Sequence, residues 1–218
     1  MIGEAWAMYR AHWRHLVWIA CVVYLAVAFL TLLLVLLAGD LGLLGAGFLS
    51  IVWLFWLQGA LVEAVSDVRD GRADLTVGQT LTRVRRRLNA LSLAGLLAVL
   101  GISAGLFLLV VPGLLLLTRW ILIVPAIILE GKGVLAAFGR SSELVKGSSW
   151  SVFGVVLLTV VLYVAGWIVV SLVLLPLPAA PQGFLTSIVG SSVTAPIVAV
   201  AWTLTYYRLR GGREPAAG

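Results

Sequence analysis

The sequence predicts an all-α polytopic membrane bundle of six transmembrane helices paired into three hairpins, with short amphipathic helices on the cytoplasmic side. Composition is the first reason. The 218-residue chain is 62% hydrophobic and 11% charged, where an ordinary soluble domain carries about 25% charge. The second reason is where the charge lies. Fourteen of the fifteen Lys and Arg residues fall in four short segments, 10–14, 69–87, 132–146 and 208–213, separated by apolar stretches long enough to cross a bilayer. The intervening turns at Gly39-Asp40, Pro112-Gly113 and 176–183 hold no basic residue at all. Basic loops stay on the cytoplasmic side during insertion. Both termini are therefore expected inside, with the chain in the plasma membrane.

The crossings expected are 16–38, 41–65, 90–111, 114–130, 150–175 and 184–206, each near the length of about 20 residues a bilayer requires. The first is longer than the core of a signal peptide, about 7–15 residues, and patterned sequence precedes it. A retained crossing is the expectation. Six spans and their connectors form a single transmembrane domain over 1–218, with no room left for a soluble catalytic domain.

Ahead of each hairpin stands an amphipathic stretch, at 2–14, 76–89 and 133–146. Ile2, Trp6, Tyr9, Trp13 and Leu16 recur at helical spacing, and Val77, Leu81, Val84, Leu88 and Leu91 repeat that pattern 75 residues later. The third copy is looser, with Leu135, Phe138 and Val145 keeping part of the face and Ser142 and Ser149 filling its other positions. Three related units of leading helix, span, turn and span are expected. The second leading helix opens on a capping box, Thr76 to Gln79. Its polar side carries Arg83, Arg86 and Arg87, the candidate contacts for anionic headgroups, because a basic amphipathic helix favours the headgroup plane.

Arg119 lies within an apolar span, about 9 Å along the helix from Gly113. An Arg so placed costs about 2.5–3.5 kcal/mol on insertion scales. Asp40, the single acid on the outer side, is its expected partner, and the two form the candidate intramembrane polar site. Glu63 and Glu130 stand at the inner boundary, where water and basic neighbours account for them better than acid–base catalysis does. His12 and His15 make no metal site without further ligands. Trp13, Trp18, Trp150 and Trp202, with Tyr206 and Tyr207, are expected as interfacial anchors.

Gly183, Ser187, Ser191, Ala195 and Ala199 put a small residue at every fourth position of span six, a helix-packing ladder. Gly101 and Gly105 form a shorter one in span three. Pro125 and Pro196 should kink spans four and six, since each removes a backbone donor. Cys21 is the sole cysteine, so neither an intramolecular disulfide nor a Cys-based zinc site can form. No phosphate loop or hydrolase motif is present. No cofactor is expected, and no nucleic acid: the net charge of +6 is read as orienting the chain against anionic headgroups. Arg outnumbers Lys thirteen to two, a bias of GC-rich bacterial genomes.

The run Pro112-Gly113, Arg119-Trp120, Pro125, Glu130-Gly131, Arg140-Ser141, Leu144, Lys146-Gly147 and Trp150 resembles the membrane domain of glycerophosphoryl diester phosphodiesterases and related bacterial multi-pass proteins of unknown function. The closing 205–210 is similar to the end of that domain. The resemblance implies a fold and a membrane location. Enzymatic members carry their activity in a separate soluble barrel, so no hydrolase activity transfers to these residues. The expected function is a non-enzymatic scaffold or accessory subunit organising lipid or a partner protein, a second copy included, at the inner face. The alternative is a small transporter or lipid-handling protein with a polar path near Arg119. A weaker one is an intramembrane enzyme using Glu63 or Glu130.

Overall fold

The computed structural model describes residues 2–69 and 77–212. Its helices are α1 (Ile2–Arg69), α2 (Val77–Arg85), α3 (Leu88–Leu108), α4 (Val110–Trp120), α5 (Ile123–Leu129), α6 (Val134–Val145), α7 (Ser149–Val173) and α8 (Ala179–Gly211). No strand occurs among the described residues. Six stretches are long and apolar enough to cross a membrane: Leu16–Gly42, Gly45–Arg69, Leu88–Leu108, Val110–Leu129, Ser149–Val173 and Leu185–Gly211. We number these spans one to six. Their outward faces carry Leu36, Leu37, Phe107, Val164 and Leu172, all exposed. So wide an apolar surface marks contact with lipid.

α1 leaves helical values at His12, ahead of the first crossing, and at Gly39 (φ 53°, ψ −126°), which divides it into two crossings. A positive φ suits a residue without Cβ. The chain reverses there and brings Gly42 against the Leu34 carbonyl, with no room for a side chain.

The second turn lies elsewhere than expected. Leu109 is extended (φ −161°, ψ 142°) and α4 begins at Val110, so Pro112 falls in the first helical turn, where its missing N–H leaves no bond unmade. Gly113 is a packing residue instead. A Cβ there would lie 2.6 Å from the Leu106 backbone nitrogen. Gly105 faces it, and Gly101 receives the Trp120 ring, so the small-residue pair in span three does set a close helix approach. The third turn is at 174–178, and α8 starts at Ala179.

Span four breaks where proline predicts. α4 ends at Trp120, Leu122 has φ −96° and ψ 12°, and Pro125 sits in the first turn of α5. Proline has no N–H for the carbonyl four residues back and its ring crowds that carbonyl. Ser141 of α6 repairs the gap: its hydroxyl donates to the Arg119 carbonyl at 2.6 Å and accepts from the Leu122 N–H at 3.2 Å. Span six differs. It runs through Pro196 as one helix, and the Tyr9 hydroxyl donates to the neighbouring Val193 carbonyl at 3.2 Å. At membrane depth such groups need protein or water partners.

The threefold repeat is visible in burial. Tyr9, Val84 and Val145 correspond, as do Leu16, Leu91 and Val152, then Ala20, Gly95 and Val156, then Val23, Ala98 and Thr159; every one is buried. The leading helices thus dock on protein through Tyr9, Val84 and Val145, whereas Trp13 and Leu135 of the same faces are exposed. α2 seats on span two at Gly59, α6 on the broken span four, and the start of α1 on α8. Each unit grips the second crossing of the unit before it, and the last contact closes a ring. In the most apolar stretch of each span the share of residues buried is 47%, 50% and 67% for spans two, four and six, against 17%, 28% and 11% for spans one, three and five. The second crossings form an inner layer and the first crossings face lipid.

Candidate functional site

The polar side chains gather at one end of this bundle, where spans two, four and six finish. α2 is seated there by Thr80 and Val84, both buried. The helix stops at Arg85 and a turn follows, with the Arg86 N–H on the Arg83 carbonyl and the Arg87 N–H on the Val84 carbonyl. Stopping there swings Arg83, Arg86 and Arg87 around a common cleft of about 750 Å³, lined also by Glu63, Gly78, Gln79, Thr82, Val84 and Ile128. The three candidate headgroup contacts are thus brought together. Thr76, the expected cap of this helix, lies outside the described residues.

Within the cleft Arg83 donates to Glu63 at 3.1 Å. With 60% of the Arg83 side chain exposed, such a pair contributes about 0.2–1 kcal/mol. Arg87 donates to the Gly131 carbonyl at 3.2 Å. Gly131 has φ 67°, and a Cβ on it would meet the Arg87 guanidinium at 2.7 Å; a glycine both makes this turn and leaves room for the arginine. Arg86 is exposed and has no partner among the described residues.

Beside the cleft, Glu130 is the hub of a second cluster. It accepts from Arg140 with both oxygens, at 2.9 and 3.1 Å, from the fully buried Tyr206 through a short hydrogen bond, and faces Lys132 at 3.9 Å. Burial alone would raise its pKa. The Tyr206 hydroxyl, Arg140 and Lys132 outweigh burial and hold the carboxyl below the usual range. Tyr207 joins span six to span two through the Ser66 hydroxyl at 2.8 Å and through Arg69, whose guanidinium stacks 3.7 Å over its ring. Tyr206 is therefore a buried tie and not the expected surface anchor. Trp202 likewise turns inward, its ring N–H 3.4 Å from Thr159 Oγ1. Trp13, Trp18 and Trp150 are exposed.

The expected pairing of Arg119 with Asp40 is not formed. Both side chains are exposed, and neither has an ion-pair partner among the described residues. Ser141 and Trp120 explain why: the first holds the Arg119 carbonyl and the second turns against Gly101 and Phe138, which fixes the helix face so that Arg119 points away from the packed core. The ladder in span six packs over half its length. Ser191, Ala195 and Ala199 are buried, whereas Gly183 and Ser187 are exposed. No group of three or more His, Cys, Asp or Glu able to hold a metal occurs among the described residues.

Ser141 and Tyr9 are the residues that sequence reasoning missed. Their signal was available: the first and third leading helices carry these hydroxyls, and each lies opposite a span with an internal proline, Pro196 for Tyr9 and Pro125 for Ser141.

No curated protein and no solved structure matches the chain. The family model described as the membrane domain of glycerophosphoryl diester phosphodiesterase matches residues 93–205, covering most of the second and third hairpins with Ser141, Glu130 and Arg140. The chain is an integral membrane protein and belongs to the family of that membrane domain.

Proposed function

We propose that this protein is a non-enzymatic scaffold that gathers anionic lipid at the cytoplasmic face of the plasma membrane. The observation that carries the reading is the convergence of Arg83, Arg86 and Arg87 on one cleft at the polar end of the bundle. Basic residues near an anionic surface contribute about 1 kcal/mol each. With one of the three offset by Glu63, the net contribution is about 2 kcal/mol, on the order of thirtyfold in affinity. Binding is measured with the purified full chain in neutral detergent, using short-chain phosphatidylglycerol against phosphatidylcholine. Phosphatidylglycerol should bind better, and changing all three arginines to Gln should remove most of the difference. Equal binding of both lipids by the unmodified protein would overturn the reading.

One observation favours a transport role as second reading: Arg119 is an exposed cation on an inner crossing, next to the break between α4 and α5. None of the cavities lined by Glu63 and α2, by Trp150 and α4, or by Arg208 and Ser151 includes it. Arg119→Leu should leave binding of phosphatidylglycerol unchanged under the scaffold reading.

A further inference from the structure

We infer that the α2 cleft selects lipid headgroups ending in a phosphomonoester over phosphodiester headgroups. The inference rests on the reading of this cleft as a lipid site. Among the described residues its lining holds three arginines and one carboxylate, Glu63, so these charges sum to two positive. They are also unequally engaged. Arg83 is neutralised by Glu63 at 3.1 Å. Arg87 spends one N–H on the Gly131 carbonyl, a neutral acceptor that leaves its charge uncompensated. Arg86 has no partner among the described residues. Among the described residues, two neighbouring guanidiniums therefore face the cleft with their charge unmatched.

A phosphodiester brings one negative charge and two unesterified oxygens. A phosphomonoester brings about −1.5 to −2 at neutral pH and three strong acceptor oxygens, enough to meet Arg86 and Arg87 together while Arg83 stays on Glu63. Guanidinium forks suit that geometry, since each presents paired N–H donors to two oxygens of one phosphate. The cleft offers little to an ammonium-bearing headgroup, because Glu63 is already held by Arg83. Thr82 does not supply a spare donor either; its hydroxyl is committed to the Gly78 carbonyl at 2.7 Å. Selection thus falls on the charge and oxygen count of the phosphate.

The test uses the full chain in neutral detergent with short-chain phosphatidic acid, phosphatidylglycerol and phosphatidylcholine, at a pH above and a pH below the second phosphate ionisation near about 6. Phosphatidic acid should bind about tenfold more tightly than phosphatidylglycerol at the higher pH, and the ratio should fall towards one at the lower. Arg86→Gln should abolish the preference with thermal stability unchanged, because the Arg86 side chain is exposed and holds no partner among the described residues. Equal binding of the two anionic lipids at the higher pH, both above phosphatidylcholine, would overturn the selectivity and leave the lipid reading standing. Equal binding of all three would overturn both. A preference that survives Arg86→Gln would remove it from this cleft, and displacement by inorganic phosphate at comparable concentration would reassign the ligand to a soluble anion.

Discussion

Glu130 ties three elements through one side chain, holding α6 by Arg140, α8 by Tyr206 and its own α5 by position. Its carboxyl is held below the ordinary value of 4.5, so the sign of the linkage is fixed. A depressed folded-state pKa contributes stability that is fully present above the unfolded value and is lost as pH falls through the folded one. Glu130→Gln should cost about 1.5–3 kcal/mol at neutral pH, the range of hydrogen bonds to charged groups. It should also flatten the loss of stability below pH 4.5, read by thermal melts in detergent. A variant with an unchanged acid limb would place the clasp elsewhere. Gly113 is the other decisive residue. A methyl group there meets backbone at 2.6 Å, so Gly113→Ala should cost about 1–3 kcal/mol through overpacking. At Gly154 nothing lies within 4 Å of a built Cβ, and Ala there should be neutral or mildly stabilising.

Among the elements, the break between α4 and α5 matters most, because its stability depends on a hydroxyl from another helix. Ser141→Ala would leave the Arg119 carbonyl and the Leu122 N–H without the partners they now have. An unsatisfied buried group costs about 1–3 kcal/mol. The loss should appear as a lower melting temperature and as faster amide exchange around residues 119–123, with the leading helix of the second unit unaffected. α8 offers a graded contrast along one face. Ala195→Leu should loosen the bundle because that position is buried in the main core, whereas Gly183→Leu should be silent because that position is exposed. Helix pairing in lipid depends on such close backbone approach.

At the scale of the molecule, three units close a ring in which second crossings lie inside and first crossings meet lipid. The start of α1 completes it by docking on α8 through Tyr9. Tyr9→Phe should therefore lower the stability of the whole bundle cooperatively and not merely fray one terminus. Orientation is a separate prediction. In a Cys21→Ser background, cysteines at Asp40 and Gln182 should react with an impermeant thiol reagent in intact cells, whereas one at Lys146 should not. Labelling at Lys146 would invert or dismantle the proposed topology.

Six crossings, three hairpins and the repeat were legible in the sequence, because apolar length, turn composition and the spacing of Tyr9, Leu16, Val84 and Leu91 are local properties of the chain. Family resemblance was legible for the same reason: Pro112, Gly113, Gly131 and Ser141 each answer a local backbone demand, a helix start, a close approach, a positive φ and a broken turn. The destinations of the side chains were decided only by tertiary structure. Tyr206 and Trp202 have the composition of surface anchors, yet they face inward because span six is an inner crossing. Arg119 and Asp40 are complementary in charge, yet helix rotation, set by Trp120 and Ser141, turns Arg119 out of the packed core. Arg83, Arg86 and Arg87 lie on one short stretch in sequence, but it is the end of α2 at Arg85 that wraps them around a common cleft. Periodicity fixes which face of a helix is apolar; which neighbour that face meets depends on how the three units close on one another.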